Sequence, residues 1–213
     1  MELCYSVRRE VQRVQELKER LRGVRIGIVV TGSHCTISDV IPQIINLKNE
    51  GAELYPVFSY TVDTTDNRFY QARELKESMV QITGRDVMNS IVAAEPIGPQ
   101  KLLDVAVIIP ATGNTIAKLA HGITDTPALM AVKAQLRNQR PVVIAVSTND
   151  ALGINAVNIG MLLNMKNIYF VPFRQDNPQQ KANSIIASFD LVVDTVINAL
   201  QGKQLQPVML GPL

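Results

Sequence analysis

Five apolar runs, four of them closed by hydroxyl or amide residues and most followed by a helical repeat, set the plan of the chain. Residues 25–30 (RIGIVV), 52–58 (AELYPVF), 105–109 (VAVII), 142–146 (VVIAV) and 168–171 read as strands, the Val/Ile-rich ones as strands buried on both faces of a parallel sheet. Pro110 marks the end of the central run. Apolar residues at helical spacing predict helices over residues 39–49, 69–81, 86–93, from Ile116 onward, 128–138, 151–163 and 183–200. Strands alternating with helices predict an α/β fold, a doubly wound parallel sheet forming a single domain over residues 24–202. Ahead of it, Leu3, Val7, Val11, Val14, Leu17 and Leu21 recur every three or four places and predict an amphipathic helix over residues 1–23 that packs on the domain or on a neighbouring subunit. The tail, 203–213, has little periodicity and contains Pro207 and Pro212, as expected of a disordered segment or one docked on a partner.

In open α/β sheets the loops leaving the C-terminal ends of the strands hold the ligand. Here four such ends offer hydroxyls and amides with almost no charge: Thr31, Gly32, Ser33 and Thr36 after the first run; Ser59 and Thr61 after the second; residues 111–115 after the third; Ser147, Thr148, Asn149 and Asp150 after the fourth. The third loop has no Lys or Arg before Lys118, so an anion there would rely on backbone N–H groups, hydroxyls and the helix dipole, which suits a phosphate. Taken singly, each loop has a plainer reading: Asn114 or Thr115 caps the next helix, and Asp150 caps the one after it. Four together favour a phosphate-bearing cofactor. Neither GxGxxG nor GxxxxGK[ST] is present, and two histidines, His34 and His121, make no metal-binding pair. His34 reads as a surface residue rather than a base. Phe69 and Tyr70 could stack on a planar ligand, although core burial is the commoner fate of such rings.

Composition narrows the classes further. A formal charge of +2 over 213 residues, without a basic run, gives no electrostatic case for nucleic acid. Cys4 and Cys35 are too few for a disulfide framework and read as free thiols in a reducing compartment. No run approaches the ~20 apolar residues that a membrane span needs, so a cytoplasmic protein is expected.

TGS at 31–33 and PATGNTIAKLAHGITD at 110–125 resemble the flavin-binding motifs of the homo-oligomeric flavin-containing cysteine decarboxylase superfamily. The resemblance covers residues 25–200 and implies a Rossmann-like, flavoprotein-type three-layer sandwich that binds FMN. Carried over position by position, it makes Gly32, Ser33, Ser59, Thr61, Thr112, Asn114 and Thr115 the flavin contacts, with the phosphate near Gly32, Ser33 and Thr115. The superfamily's catalytic His, placed shortly before the central strand, has no counterpart in Glu95, Pro96, Ile97, Gly98 and Pro99. Of its PxMN segment only Asn149 survives. Further segments, AEPIGP, ITDTPALMA, STNDALG, NIYFVPF, QDNP and QLQPV, resemble a branch of the superfamily from spore-forming bacteria. That likeness implies a mother-cell protein that helps oxidise dihydrodipicolinate to pyridine-2,6-dicarboxylate. It also implies a separate A subunit carrying NAD(P), and a trimeric or dodecameric homo-oligomer. A non-catalytic flavin-binding or scaffolding subunit, and an FMN-dependent decarboxylase or transferase, are the alternatives. No residue stands out as the catalytic base; His34 and Asp150 are the titratable groups in the site loops.

Overall fold

The structure, a computed structural model, describes residues 19–211, so the predicted N-terminal helix lies almost wholly outside the described residues. Four parallel strands form the centre: β1 (Arg25–Val30), β2 (Glu53–Phe58), β3 (Val105–Ala111) and β4 (Val142–Thr148), in the order β2-β1-β3-β4. β5 (Ile168–Phe170) pairs in parallel with the start of β4, while β6 (Phe173–Gln175) and β7 (Ile185–Ala187) form an antiparallel hairpin against its last two residues. The chain winds outward in opposite directions from β1 and β3, which makes their shared C-terminal edge the switch point where such sheets take ligands.

Eight α-helices follow among the described residues: α1 (Ile37–Asn49), α2 (Tyr60–Thr64), α3 (Ala72–Thr83), α4 (Ile91–Ala94), α5 (Gly113–Ala120), α6 (Pro127–Arg137), α7 (Ala156–Leu163) and α8 (Val192–Leu200). Strand side chains alternate between two cores, as a pleat requires. Ile26, Ile28 and Val30 of β1 meet α1, α3 and α8 on one face, and Val29 meets the layer of α5, α6 and α7 on the other. The result is the predicted three-layer sandwich. No helix among the described residues is long and apolar enough to cross a membrane.

Several local expectations change. Seven strands, not five, are present among the described residues: β6 follows the fifth predicted run, and residues 183–200 are β7, a 3-10 turn (Phe189–Leu191) and α8 rather than one helix. A three-residue apolar run such as IIA fits either period. Pro110 does not end β3, which continues to Ala111 across a register shift after Ile108, a place where a residue without an N–H is tolerated. The helix predicted from Phe69 starts at Ala72, because Asn67 Oδ1 accepts from the backbone N–H groups of Phe69 and Tyr70 in a turn. The helix predicted from Ala151 starts at Ala156 after a turn, and residues 86–93 yield only the four-residue α4. Residues 204–210 of the tail bond to their own domain. Phe173 N–H donates to Val208 O and accepts Leu210 N–H through its carbonyl, and the Gln204 side chain bonds both backbone groups of Phe170.

Candidate functional site

The strand ends meet as expected, and the structure adds an order to them. Thr31, at the end of β1, is buried and acts as a staple: its hydroxyl donates to Pro110 O (2.7 Å) and accepts from Thr112 N–H (3.1 Å). This joins β1 to β3 at the register shift. Thr112, and neither Asn114 nor Thr115, caps α5, its Oγ1 accepting from Thr115 N–H (3.3 Å) and lying 3.0 Å from Thr115 Oγ1. Asn114 is exposed at the first turn of α5, so its side chain is available for something other than capping.

Two hollows flank this seam and share Gly32 and Thr112. The second, about 520 Å³, is lined by Ser59, Tyr60, Thr61, Asn114, Thr115 and Lys118, among others. Its one cation among the described residues, Lys118, is paired with Asp125 at 2.6 Å. The Ser59 hydroxyl lining it is buried and has no hydrogen-bond partner among the described residues, a costly state for a buried polar group that a bound acceptor or donor would relieve. The amides of Gly113 and Asn114, in the first turn of α5, lack intrahelical acceptors by position.

The first hollow, about 580 Å³, is lined by Ser33, His34, Arg68, Phe69, Ser147 and Asn149, and by the β6–β7 hairpin. Ser33 Oγ and Ser147 Oγ are 2.8 Å apart, and Thr36 donates to the Ser33 carbonyl at 3.0 Å, which ties the ends of β1 and β4 together. Lys181 and Asp176 form an ion pair on the hairpin (2.6 Å). Phe69 is half exposed rather than buried, with the Arg68 guanidinium 4.8 Å above its ring. Tyr70 is partly buried, and burial pushes its hydroxyl pKa up. His34 lines the hollow, with Nδ1 2.6 Å from the Tyr70 hydroxyl; burial lowers its pKa, which favours the neutral ring.

The residues predicted as flavin contacts therefore divide. Ser59, Thr61, Asn114 and Thr115 line the second hollow, Ser33 and Asn149 the first, and Gly32 and Thr112 lie between. Of the three residues expected around the phosphate, Gly32 lines both hollows, Ser33 the first and Thr115 the second. Asp150 caps no helix; it accepts from Thr148 Oγ1 (2.6 Å) and Asn155 Nδ2 (2.9 Å) beneath Gly113. Asn155 in turn accepts from Asn158, whose amide oxygen faces His121 at 3.0 Å. Glu95–Pro99, where a superfamily His would stand, lines neither hollow. Arg68 and Asn67 carried no motif; the Asn177-Pro178 turn within QDNP was the local signal for the hairpin. No cluster of potential metal ligands occurs among the described residues.

Comparison with known proteins shows the family. Residues 14–201 match the family described as Flavoprotein. The chain is 50% identical to the B subunit of dipicolinate synthase from Bacillus subtilis over 190 residues, covering 89% of this chain and 95% of that protein. The crystal structure of the dipicolinate synthase B subunit from Bacillus halodurans superposes with a TM-score of 0.84 at 47% identity, covering 91% of this chain and 99% of that one. The fold is shared more distantly with DmrB of Burkholderia xenovorans, solved with FMN as a cubic protein cage (TM-score 0.61, 18% identity, 84% and 96% covered). The chain thus belongs to the flavoprotein family, in the group that holds the dipicolinate synthase B subunits.

Proposed function

We propose that the chain binds FMN at the Gly32–Thr112 seam and serves as the B subunit of a dipicolinate synthase, oxidising dihydrodipicolinate to dipicolinate with a nicotinamide-dependent A subunit. The observation that carries the flavin reading is the buried, unpartnered Ser59 hydroxyl beside Thr61 and Thr115. Hydroxyls and helix-end amides without a free cation suit a phosphate held largely by neutral donors. The phosphate thus belongs in the second hollow, with Ser59, Thr61, Asn114 and Thr115. Gly32 fits a cradle role as well, since a Cβ there would crowd His34 Nε2 and Thr61 Cγ2, both at 3.4 Å.

A bound flavin would supply a two-electron acceptor. The chain's own part is to set that group at the seam and to leave the first hollow for the molecule to be oxidised. Decarboxylation finds no support in a chain without the His before β3. A purely binding role has one observation in its favour, the absence of a strong base among the described residues lining either hollow. Adding dihydrodipicolinate and the A subunit to the FMN-loaded chain separates the two readings: bleaching of the flavin band supports oxidation, and an unchanged band supports a binding role alone. Assembly into a homo-oligomer belongs to the same proposal, with exposed Ile154, Val157 and Met161 on and beside α7 offering apolar surface to cover. A monomer in light scattering at high concentration would oppose it.

A further inference from the structure

The turn between α2 and α3 fixes the protonation of a histidine. Asn67 Oδ1 accepts from Phe69 N–H (2.9 Å) and Tyr70 N–H (3.3 Å), and Asn67 Nδ2 approaches Thr65 O (3.5 Å). These contacts settle which end of the amide is nitrogen. Nδ2 therefore faces His34 Nδ1 at 3.2 Å, and the Tyr70 hydroxyl reaches the same ring nitrogen at 2.6 Å. An amide nitrogen donates and cannot accept, so its approach to Nδ1 favours a lone pair there and the imidazole proton on Nε2. Nε2 lies 3.4 Å from the Cβ position that Gly32 leaves empty, at the seam between the hollows.

Next to it on the same turn, Arg68 has no acidic partner among the described residues and lies over the half-exposed Phe69 ring. The other charges in that hollow, Lys181 and Asp176, neutralise one another. The hollow thus presents an unspent guanidinium, a neutral N–H donor, paired serine hydroxyls and a flat apolar wall. Guanidinium forks match carboxylates, and ring faces suit planar heterocycles.

We infer that the first hollow binds a planar ring dicarboxylate through Arg68 and the Nε2–H of His34, with Asn67 and Tyr70 as positioning residues that keep His34 a donor rather than a base. The inference rests on the proposed reading for its substrate class, while the tautomer rests on geometry alone. A proton added at Nδ1 would have to expel Asn67, whose amide nitrogen lies 3.2 Å away.

The chain has two histidines, so ¹⁵N-imidazole spectra contain two ring systems, and H121Q assigns them. The expected result is an Nε2–H pattern for His34 between pH 8 and 6, moving when pyridine-2,6-dicarboxylate is added. Tyr70→Phe should raise the share of Nδ1–H. Calorimetry with that dicarboxylate, on flavin-free and FMN-loaded protein, should show Arg68→Met weakening it at least tenfold with FMN affinity unchanged. An Nδ1–H pattern in the parent overturns the tautomer. Equal dicarboxylate affinity in parent and Arg68→Met, or no binding by the parent at millimolar concentration, overturns the site. Dicarboxylate binding without FMN binding would sink the flavin reading and support this one.

Discussion

The two hollows share a wall but differ in how their charge is managed. In the second, the cation is already neutralised, Lys118 on Asp125, and an uncharged hydroxyl is left buried without a partner. In the first, a cation is left over, Arg68, while the hydroxyls of Ser33 and Ser147 satisfy one another. The same type of loop, leaving neighbouring strands of one sheet, thus yields one surface suited to a phosphate held by neutral donors and another suited to a carboxylate held by a guanidinium. Adjacent sites of different chemistry are what a two-ligand reaction needs. The shared residues Gly32 and Thr112 would bring the ligands into contact.

The largest expected effect comes from a change that disturbs both sides together. Gly113 packs on the Asp150 cluster so closely that a Cβ would lie 2.6 Å from Asn155 Nδ2 and 2.8 Å from Thr148 Oγ1, and nearer still to the Asp150 carboxylate. Gly113→Ala should cost about 2 to 3 kcal/mol in chemical denaturation, since overpacking costs about that much, and should weaken ligands in both hollows. A neutral result would mean that the cluster shifts freely and does not support the seam.

Asn114→Asp acts on one side only. Thr112 is the cap, so stability of the flavin-free protein should change by less than about 0.5 kcal/mol, as for an exposed site. A carboxylate facing the phosphate should lower FMN affinity about tenfold, or about 1.4 kcal/mol. Dicarboxylate affinity in the first hollow should hold. Equal FMN affinity in mutant and parent would remove Asn114 from the site.

The smallest effect serves as a control at the opposite edge of the sheet. Asp104, beside the start of β1, is held below the usual carboxylate range by the Arg25 guanidinium, its nearest partner at 2.7 Å. Its contribution is present above the unfolded value of 3.8 and is lost as pH falls through the lower folded value. Asp104→Asn should cost at most about 1 kcal/mol at pH 7, because the pair is about one-third exposed and screened. It should also flatten the acid limb below pH 4 and leave both ligands' affinities unchanged.

The sandwich and the four hydroxyl-bearing strand ends were legible because buried parallel strands leave unbroken Val/Ile runs and their exits leave Ser, Thr and Asn. The division into two hollows was not. It depends on Thr31 spending its hydroxyl on Pro110 and Thr112, and on Ser33 pairing with Ser147 across 114 positions of sequence. Such pairings leave no local pattern. Arg68 and Asn67 were missed for a related reason: the helical spacing from Phe69 hid an Asn-centred turn that sets Arg68 at the rim of the first hollow and Asn67 against His34. β7, one strand of the hairpin over the first hollow, was absorbed into a helix because three apolar residues carry too little period to decide. The expected cap at Asn114 or Thr115 belongs to Thr112, one of several neighbouring residues of capping type.

The central claim, that the second hollow grips a phosphate with neutral donors, is tested most directly by comparing FMN with riboflavin, which differ by that phosphate. Fluorescence titration of the parent should show FMN binding at least tenfold more tightly than riboflavin, within the tens of micromolar range of a working cofactor site. In Ser59→Ala most of that preference should disappear while riboflavin affinity is unchanged. Equal affinities for the two flavins in the parent, or a preference for FMN that survives the loss of the Ser59 hydroxyl, would contradict the account.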